Sequence, residues 1–392
     1  MYDFDQVPDR RFSNSMKWST AHNRLTPAQA ACDPLPMWVA DMDFRVAEPI
    51  IQALREAVDF GVYGYGLVSP SFVEAVIDWQ HRRFGWKPQA QWLVNTPGIV
   101  NAINMAIQAF SVPGDHVLIQ TPVYVHFHYD VTINGRRLAE APLSFDGERY
   151  HFDAKRFEAA IKPGTKLFIL CHPHNPTGNV WSREDLLAMA QICARHGIIV
   201  VSDEVHQDLV WDPALKHIPF ASVSEEAAAI SVVCTAPSKT FNMAGLQCSN
   251  IFIPDPQLRA AFRAQCERAG INLVNVMGLA ACEAAYRHCE GWLDALLPYL
   301  AGNQKRFAEL INNADVPMRV VPTGALYLAW IDCRAMTAKG HDLHDQILRN
   351  ARLWLDPGPK FGLGGDGFMR INLACPRQQV EEAAQRLLGL FD

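Results

Sequence analysis

The 392-residue chain lacks the features of several protein classes. It has no run of lysines and arginines and a net charge of −6, so we expect no basic face for nucleic acid or an anionic membrane. No apolar stretch is long enough to cross a bilayer. Its 10 cysteines include no C-x-x-C pair, which favours buried thiols over disulfides.

We also expect no secretory signal, and common nucleotide motifs are missing from the sequence. Its first residues are charged and carry no apolar secretory core, so we expect a cytoplasmic protein. There is no Walker motif, no G-x-S-x-G elbow and no internal repeat. One G-x-G-x-x-G match, formed by Gly362, Gly364 and Gly367, precedes a predicted strand rather than a helix. That order predicts a loop and not a dinucleotide site.

The sequence does contain a regular alternation of short apolar runs and amphipathic helical stretches. Its composition, 49% hydrophobic and 19% charged, is typical of a globular protein with a sizeable core. Helices are predicted from Gly98 and from Ser182. Strands are predicted at 91–94, 116–120, 166–171, 198–202, 230–234 and 248–253. This α/β alternation predicts a mostly parallel sheet with helices on both faces.

The pattern changes after about Pro254. Long helices are predicted near 256–268, 275–289 and 291–312, followed by short strands in "LYLAWID" and "FMRINLA" and a last helix from Pro376. This order indicates a smaller α+β domain. We therefore predict three parts: an N-terminal segment, 1–45, that packs on the small domain; a large α/β domain, 46–288; and the small domain, 289–392.

Polar residues follow three of the predicted strands, where doubly wound folds place their sites. The strand "IIVVSDEVH" ends in Asp203, and an acid there is costly unless it meets a cation or hydrogen-bond donors. The strand in "ISVVCTAPSKTF" leads to Lys239, which a buried setting would turn into a nucleophile or Schiff-base former. "CHPHNPTG" places Asn175 just beyond a third strand.

A helix N-terminus completes the set. In "NTPGIVNAI" a helix begins after a strand, and free N–H groups of Gly98, Ile99 and Val100 would suit a phosphate. Each feature alone has an ordinary structural explanation. Together they describe a pyridoxal 5'-phosphate (PLP) site, in which lysine forms the imine, aspartate keeps the pyridine nitrogen protonated, asparagine bonds the ring oxygen and the helix holds the phosphate.

"CHPHNPTG" also carries side chains that bind metals, namely Cys171, His172 and His174. No further Cys or His pair lies at ligand spacing to complete four-coordination, so we predict no metal site. We interpret Cys171 as the last buried residue of its strand. The two histidines are expected to line the turn near the substrate entrance.

Ordered motifs extend over nearly the whole chain: "YGYG", "TPGIVNAI", "TPVY", "NPTG", "SDEVH", "PSKTFNMAGL" and "FMRINLACPR". In this order they resemble the fold-type I PLP-dependent enzymes of the aminotransferase class I/II superfamily. "MWVADMDF", "DEVHQDLVW" and "RINLACPR" are similar to its carbon–sulfur lyase branch. That branch includes cystathionine β-lyases and cystalysin-like cysteine desulfhydrases.

The resemblance implies roles for four residues around the cofactor. Lys239 would form the Schiff base with PLP, and Asp203 would pair with its pyridinium. Tyr124 of "TPVY" would stack on the ring. Asn175 would bond the ring hydroxyl and also contact the substrate.

It also implies a substrate site and an assembly. Arg370 of "FMRIN" would bind the carboxylate of an amino-acid substrate in bidentate fashion, with the backbone of Val39 and Ala40 alongside. Tyr65 of "YGYG" resembles a tyrosine that reaches the phosphate in the neighbouring subunit. A homodimer with shared active sites is therefore expected.

Three positions depart from the aspartate aminotransferase pattern. Ala236 and Gln247 replace a serine and an arginine near the lysine, and His206 stands where many aminotransferases place a tyrosine. The resemblance then leaves more of the phosphate to the helix, to Ser238 and to Tyr65. These departures favour the lyase branch.

The leading hypothesis is a PLP-dependent carbon–sulfur β-lyase. It would cleave L-cystathionine or a related L-cysteine S-conjugate to a thiol, pyruvate and ammonia. The same residues would serve an aminotransferase, which is the alternative. A third hypothesis is a regulatory binding protein on this scaffold, against which intact Lys239, Asp203 and Arg370 argue.

Overall fold

The structure, a computed structural model, describes residues 2–11, 13–19, 24–336 and 340–391. Its strands are β1 Leu35–Pro36, β2 Leu93–Thr96, β3 His116–Ile119, β4 Arg137–Glu140, β5 Ser144–Phe145, β6 Tyr150–His151, β7 Thr165–Cys171, β8 Ile199–Asp203, β9 Ser231–Thr235, β10 Ser249–Phe252, β11 Arg319–Val320, β12 Leu328–Asp332, β13 Leu353–Trp354, β14 Asp356–Pro357 and β15 Phe368–Asn372. Its helices are α1 Met16–Ser19, α2 Pro27–Ala30, α3 Glu48–Phe60, α4 Pro70–Phe84, α5 Ile99–Phe110, α6 Val125–Ile133, α7 Ala154–Ala159, α8 Arg183–Arg195, α9 Glu225–Ala229, α10 Pro237–Thr240, α11 Pro256–Arg268, α12 Val276–His288, α13 Glu290–Asn312, α14 Gly340–Asn350 and α15 Arg377–Leu388.

The central sheet has seven strands in the order β2-β10-β9-β8-β7-β3-β4. Strands β9, β8, β7, β3 and β4 pair in parallel, and β10 runs antiparallel to both of its neighbours. The predicted mostly parallel sheet is therefore confirmed. Parallel pairing brings the C-terminal ends of β7, β8 and β9 to one edge of the sheet.

Alternate residues of the buried strands face opposite layers of helices. In β7, Leu167 and Ile169 pack in a cluster with residues of α5, α6 and α11, whereas Phe168 and Leu170 pack in a cluster with residues of α8 and α9. Side chains alternate across a strand, so an unbroken apolar run fills both layers. Helices on both faces are thus confirmed.

The predicted element boundaries are correct to within two residues. The strand predicted at 91–94 lies at Leu93–Thr96 as β2, because a 3-10 turn at Ala90–Trp92 precedes it. The helix predicted from Ser182 is confirmed, since the Ser182 side chain caps α8 and Asp185 completes a capping box.

A second, four-stranded antiparallel sheet has the order β11-β12-β15-β14. The N-terminal segment reaches this part of the protein because β1 pairs in parallel with β13. Farther towards the N-terminus, Lys17 is fully buried and forms an ion pair with Asp43 at 2.7 Å. The division at 45 and 288 stays a prediction.

The glycine-rich match between Gly362 and Gly367 lies in the loop before β15, as predicted. In the part of the chain that the structure describes, none of the helices combines the length and the apolar character that a membrane span requires.

Candidate active site

Three adjacent strand ends build the centre of the site. The register aligns Cys171 of β7 with Asp203 of β8, and Asp203 with Cys234 of β9. Asn175 follows β7 directly, and Lys239 lies in the short helix α10 that follows β9. The predicted convergence of Asn175, Asp203 and Lys239 is a consequence of this strand order.

Lys239 directs its amine towards the N-terminal segment. Its Nζ donates a hydrogen bond to the Ala40 carbonyl at 2.6 Å, and the hydroxyl of the buried Tyr327 donates to the same oxygen at 2.9 Å. Burial lowers the pKa of Lys239 to about 8, although the nearby carboxylates of Asp41 and Asp203 oppose the shift. A neutral amine is therefore accessible near neutral pH.

Asp203 is a buried acid that forms no ion pair within 4 Å with any described residue, although the charge of Lys239 lies near enough to lower its pKa. Its carboxylate accepts one hydrogen bond from the Val205 N–H at 3.2 Å. Burial raises the pKa of Asp203 to about 7. A buried carboxylate of this kind gains most from a charged hydrogen-bond donor.

Asn175 connects the cofactor side of the site to Arg370. Its Oδ1 accepts a hydrogen bond from Arg370 Nη1 at 3.0 Å. The turn that holds Asn175 requires Gly178, which has φ of 74°. A Cβ at Gly178 would lie 1.9 Å from Thr323 Oγ1, so this position admits no side chain.

Arg370 lies on β15, and its guanidinium is almost fully buried. Besides Asn175, it donates from Nη2 to the Trp38 carbonyl at 3.0 Å and to Asp356. Its Nε is buried and makes no hydrogen bond to any described residue. The ring of Phe361 covers the guanidinium, with Cζ 4.9 Å from the ring centroid.

Side-chain donors form hydrogen bonds with backbone carbonyls of the irregular segment 38–42 and so fix its conformation. Asn372 Nδ2 donates to the carbonyls of Val39 and Asp41, each at 2.6 Å. Asn242 Nδ2 and Arg10 donate to the Met42 carbonyl. An ionised carboxylate only accepts hydrogen bonds, so the backbone N–H groups of Val39 and Ala40 are the atoms of this pair that could bind a substrate carboxylate.

Tyr124 and His206 border the same space. Burial raises the pKa of Tyr124, and the nearby carboxylate of Asp203 adds to the shift, so the phenol stays neutral. The buried His206 has its pKa lowered by burial and by the positive charges of Lys239 and Arg370. Its Nδ1 makes no hydrogen bond to any described residue.

The helix N-terminus requires a correction. Gly98 was expected to offer a free N–H, but that group donates to the Thr96 carbonyl at 2.8 Å and to Ser249 Oγ at 3.1 Å. Helix α5 begins at Ile99, so the N–H groups of Ile99 and Val100 lack intrahelical acceptors. The acceptor Ser249 lies on the neighbouring strand β10, which local sequence did not reveal.

The expectation for the two histidines of "CHPHNPTG" is also wrong. His172 and His174 are fully buried rather than at an entrance. Their Nε2 atoms bond the carbonyls of Ile218 at 3.1 Å and Pro122 at 2.8 Å. Cys171 is buried, as predicted.

Two other residues predicted for the site, Ser238 and Tyr65, differ in how exposed they are. Ser238 precedes Lys239 in α10 and is half-buried. Tyr65 is 96% exposed and lies in the irregular segment between α3 and α4.

The buried polar atoms of this space fit PLP. Asp203 has one weak donor, and His206 Nδ1 and Arg370 Nε have no partner among the described residues. Buried polar groups are normally satisfied, so an added polar group is expected here. A protonated pyridine nitrogen suits Asp203, and a phosphate suits the N–H groups that begin α5.

The structure also reveals participants that sequence reasoning missed. Asp356 pairs with Arg370, Tyr327 and Asn372 fix the segment 38–42, and Trp38 supplies a carbonyl. A lone acid in the apolar run "ARLWLDPG" was the one available signal for Asp356.

Comparison with known proteins places this site in a family. The model for aminotransferase class I and II matches residues 37–387. The chain is 42% identical over 387 residues to cystathionine beta-lyase PatB of Bacillus subtilis, covering 98% of each sequence. Cystalysin of Treponema denticola, whose structure contains pyridoxal 5'-phosphate, has a TM-score of 0.93 and 32% identity, covering 99% of this chain and 98% of its own. A PLP-bound C–S lyase of Staphylococcus hominis has a TM-score of 0.92 and 29% identity, covering 100% of this chain and 98% of its own. The chain therefore belongs to the aminotransferase class I and II family, as its ordered motifs predicted.

Proposed function

We propose that this protein is a PLP-dependent carbon–sulfur β-lyase. It cleaves L-cystathionine or a related L-cysteine S-conjugate to a thiol, pyruvate and ammonia. The observation that carries the proposal is the convergence of Lys239, Asp203 and Arg370 in one enclosed space. Full-length similarity to a cystathionine beta-lyase and to PLP-bound C–S lyases supports it.

Each of these residues has a separate task. Bound PLP supplies an aldehyde for the lysine amine and a ring that accepts the electrons released at the substrate Cα. Lys239 would hold the cofactor in the resting protein, and its Nζ, with the lowered pKa, would be the base for the Cα proton once the substrate amine has replaced it. Asp203 would keep the pyridine nitrogen protonated. Arg370 binds the substrate carboxylate, helped by Asn175 and by backbone N–H groups of Val39 and Ala40.

The remaining predicted residues complete the cofactor site. Tyr124 would pack against the cofactor ring, with His206 beside it. The N–H groups of Ile99 and Val100 and the hydroxyl of Ser238 would bind the phosphate, with Gly98 shaping the start of the helix.

The overall reaction is redox-neutral. The Cβ–S bond breaks, and the sulfur leaves with the bonding electron pair and is released as a thiol. One water replaces the amino nitrogen, so the carbon skeleton leaves as pyruvate and the nitrogen as ammonia. The chain needs no electron donor for these products.

The proposal extends to assembly and location. Tyr65 and its neighbours Val62 and Leu67 are apolar or aromatic side chains with more than half of their surface exposed. Exposed apolar patches of this kind mark interaction surfaces. We infer a homodimer in which Tyr65 reaches the phosphate of the neighbouring subunit. We also propose that the enzyme is cytoplasmic and that its domain boundaries lie at residues 45 and 288.

The test is an assay of the purified holoenzyme with L-cystathionine. We expect equal amounts of pyruvate and free thiol, and no product from Lys239→Ala. Amino transfer to a keto acid without pyruvate from any cysteine conjugate would instead establish an aminotransferase. A protein that binds no PLP would contradict both activities.

A further inference from the structure

The carboxylate of Asp356 forms a buried ion pair with the guanidinium of Arg370. The antiparallel register of β14 and β15 places Asp356 opposite Arg370, and Asp356 Oδ2 pairs with Arg370 Nη2. The two side chains are 9% and 5% exposed. Solvent screens the attraction between two buried charges little, although the loss of their hydration offsets part of it.

A second cation shares the same carboxylate. Lys360 lies one turn after Asp356, and its Nζ is 3.0 Å from Asp356 Oδ1 with a side chain that is 45% exposed. The turn Gly358–Phe361 that presents Lys360 is tightly packed, since a Cβ at Gly358 would lie 1.8 Å from the Gly365 carbonyl oxygen. Two positive groups thus surround one negative group, which leaves one net positive charge for a ligand.

The hydrogen bonds of Arg370 determine how that ligand binds. Nη2 already donates to Asp356 and to the Trp38 carbonyl, and Nη1 donates to Asn175. A bidentate carboxylate needs two adjacent N–H groups, either Nε with Nη2 or Nη1 with Nη2. Both arrangements include Nη2, whose two N–H groups already donate to Asp356 and to the Trp38 carbonyl, so an incoming carboxylate competes with these acceptors, of which Asp356 is the charged one.

We propose that Asp356 is an internal counter-ion that competes with the substrate carboxylate for Arg370, and that Lys360 sets the strength of this competition. The inference rests on the proposed function, in which Arg370 binds the substrate carboxylate. Asp356 and Lys360 are positioning residues that tune the affinity for monoanionic carboxylates. Such tuning keeps Arg370 ordered and paired before substrate arrives.

The proposal requires opposite effects from two substitutions. Asp356→Asn keeps the shape and one neutral acceptor but removes the competing charge, so carboxylates should bind more tightly. Lys360→Met removes the second cation beside Asp356. The carboxylate of Asp356 should then hold Arg370 more firmly, so ligand carboxylates should bind more weakly. Charge-assisted hydrogen bonds exceed neutral ones by an amount that corresponds to roughly tenfold in affinity.

The experiment measures binding without turnover. The holoenzyme is titrated with L-alanine, which has a carboxylate but no leaving group, and the cofactor absorbance is followed, with acetate added as a competitor. We expect dissociation constants for both ligands to fall about tenfold in Asp356→Asn and to rise several-fold in Lys360→Met. Loss of affinity in both variants, or no change in either, would overturn the proposal.

Matched controls separate this role from general damage. Asp332→Asn breaks an Asp–Arg pair with Arg334 in the same sheet, and Lys305→Met removes an exposed lysine paired with Glu309. Neither control should move the L-alanine titration. If Asp356→Asn fails to fold, the half-exposed Lys360 still allows Lys360→Met to decide the question.

Arg370→Met distinguishes this proposal from the proposed function. If Arg370→Met abolishes L-alanine binding while the two tuning variants do not diverge, only the competition is wrong. If Arg370→Met binds L-alanine normally, the role of Arg370 in the proposed function is wrong. A wild-type protein that binds L-alanine but cleaves no cysteine conjugate contradicts the lyase activity alone.

Discussion

Lys239 and Tyr327 donate hydrogen bonds to one backbone oxygen, the carbonyl of Ala40, at 2.6 and 2.9 Å. The two donors come from distant parts of the chain, and the acceptor belongs to the N-terminal segment. Because the oxygen is shared, the hydroxyl of Tyr327 limits how well the carbonyl stabilises the ammonium form of Lys239. The relationship links a buried tyrosine to the proton affinity of the reactive amine.

Tyr327→Phe should therefore raise the pKa of Lys239 above its value of about 8. Without the phenol, Ala40 accepts from Lys239 alone, and the charged amine gains up to about one pKa unit, the worth of one hydrogen bond. The measurement is the rate at which PLP recombines with the apoprotein as a function of pH. Only the neutral amine attacks the aldehyde, so the midpoint of the rate profile should move to higher pH.

Tyr286→Phe is the control for this prediction. Tyr286 is equally buried and packs on Trp79 and Phe241, but its hydroxyl makes no hydrogen bond to any described residue. Tyr286→Phe should leave the pH midpoint of the recombination rate at its wild-type value. A profile that does not move in Tyr327→Phe would show that the shared carbonyl has no influence on the amine.

Asp203→Asn should stabilise the apoprotein at alkaline pH. Burial raises the pKa of Asp203 from 3.8 to about 7, so the folded chain binds this proton more tightly than the unfolded chain. The stability that the proton confers is complete below pH 4 and is lost as the pH rises through 7. Since each pKa unit corresponds to about 1.4 kcal/mol, asparagine should gain a few kcal/mol at pH 8. Urea unfolding of the apoproteins at pH 8 and below pH 5 measures the difference.

Asp208→Asn provides the contrast. Burial also raises the pKa of Asp208, to about 6, but Trp79 Nε1 and Thr240 Oγ1 donate to its two oxygens at 3.1 and 2.8 Å. An amide in place of this carboxylate loses an acceptor, which offsets part of the gain from removing the charge, so this variant should be stabilised less than Asp203→Asn at pH 8 and destabilised below pH 5. Equal behaviour of the two variants would mean that Asp203 has partners that satisfy its charge. Asp203→Asn should also bind PLP more weakly, the opposite of its effect on the apoprotein.

Strand order explains why much of this site was predictable. Apolar runs with helices between them predict parallel strands, and parallel strands bring their C-terminal ends to one edge. Asn175, Asp203 and Lys239 each follow such a run directly, so local sequence was sufficient to group them.

The remaining contacts depend on pairings that local sequence does not encode. Asp356 meets Arg370 through the register of a small sheet, and Tyr327 meets Ala40 across 287 positions of the chain. The N–H of Gly98 donates to two acceptors, and one of them, Ser249 Oγ, is 151 positions away. A lone acid or tyrosine in an apolar stretch is compatible with many partners, and tertiary packing selects one.

Asn175→Ala should weaken substrate binding and shift the cofactor absorbance together. The amide bonds Arg370 Nη1 at 3.0 Å, so its removal loosens the carboxylate site as well as the ring contact. We expect a roughly tenfold rise in KM, the worth of one charge-assisted hydrogen bond. Asn179→Ala is the control, since Asn179 lies in the same turn and bonds Thr177 and Tyr150 instead. Activity lost to chelators, with Asn175→Ala unchanged, would favour a metal site over this interpretation.

Mixing two inactive variants tests the shared active site. If Tyr65 serves the neighbouring subunit, Tyr65→Ala and Lys239→Ala each lack one part of every site as homodimers. In a mixed dimer, the Lys239→Ala subunit supplies an intact Tyr65 to the site whose lysine is intact. Because random exchange makes half of the dimers mixed and each has one complete site, activity should recover to about a quarter of wild type. If the mixture shows only the summed activity of the two homodimers, each site is built within one chain. Sedimentation of the wild-type protein tests separately whether it is a dimer.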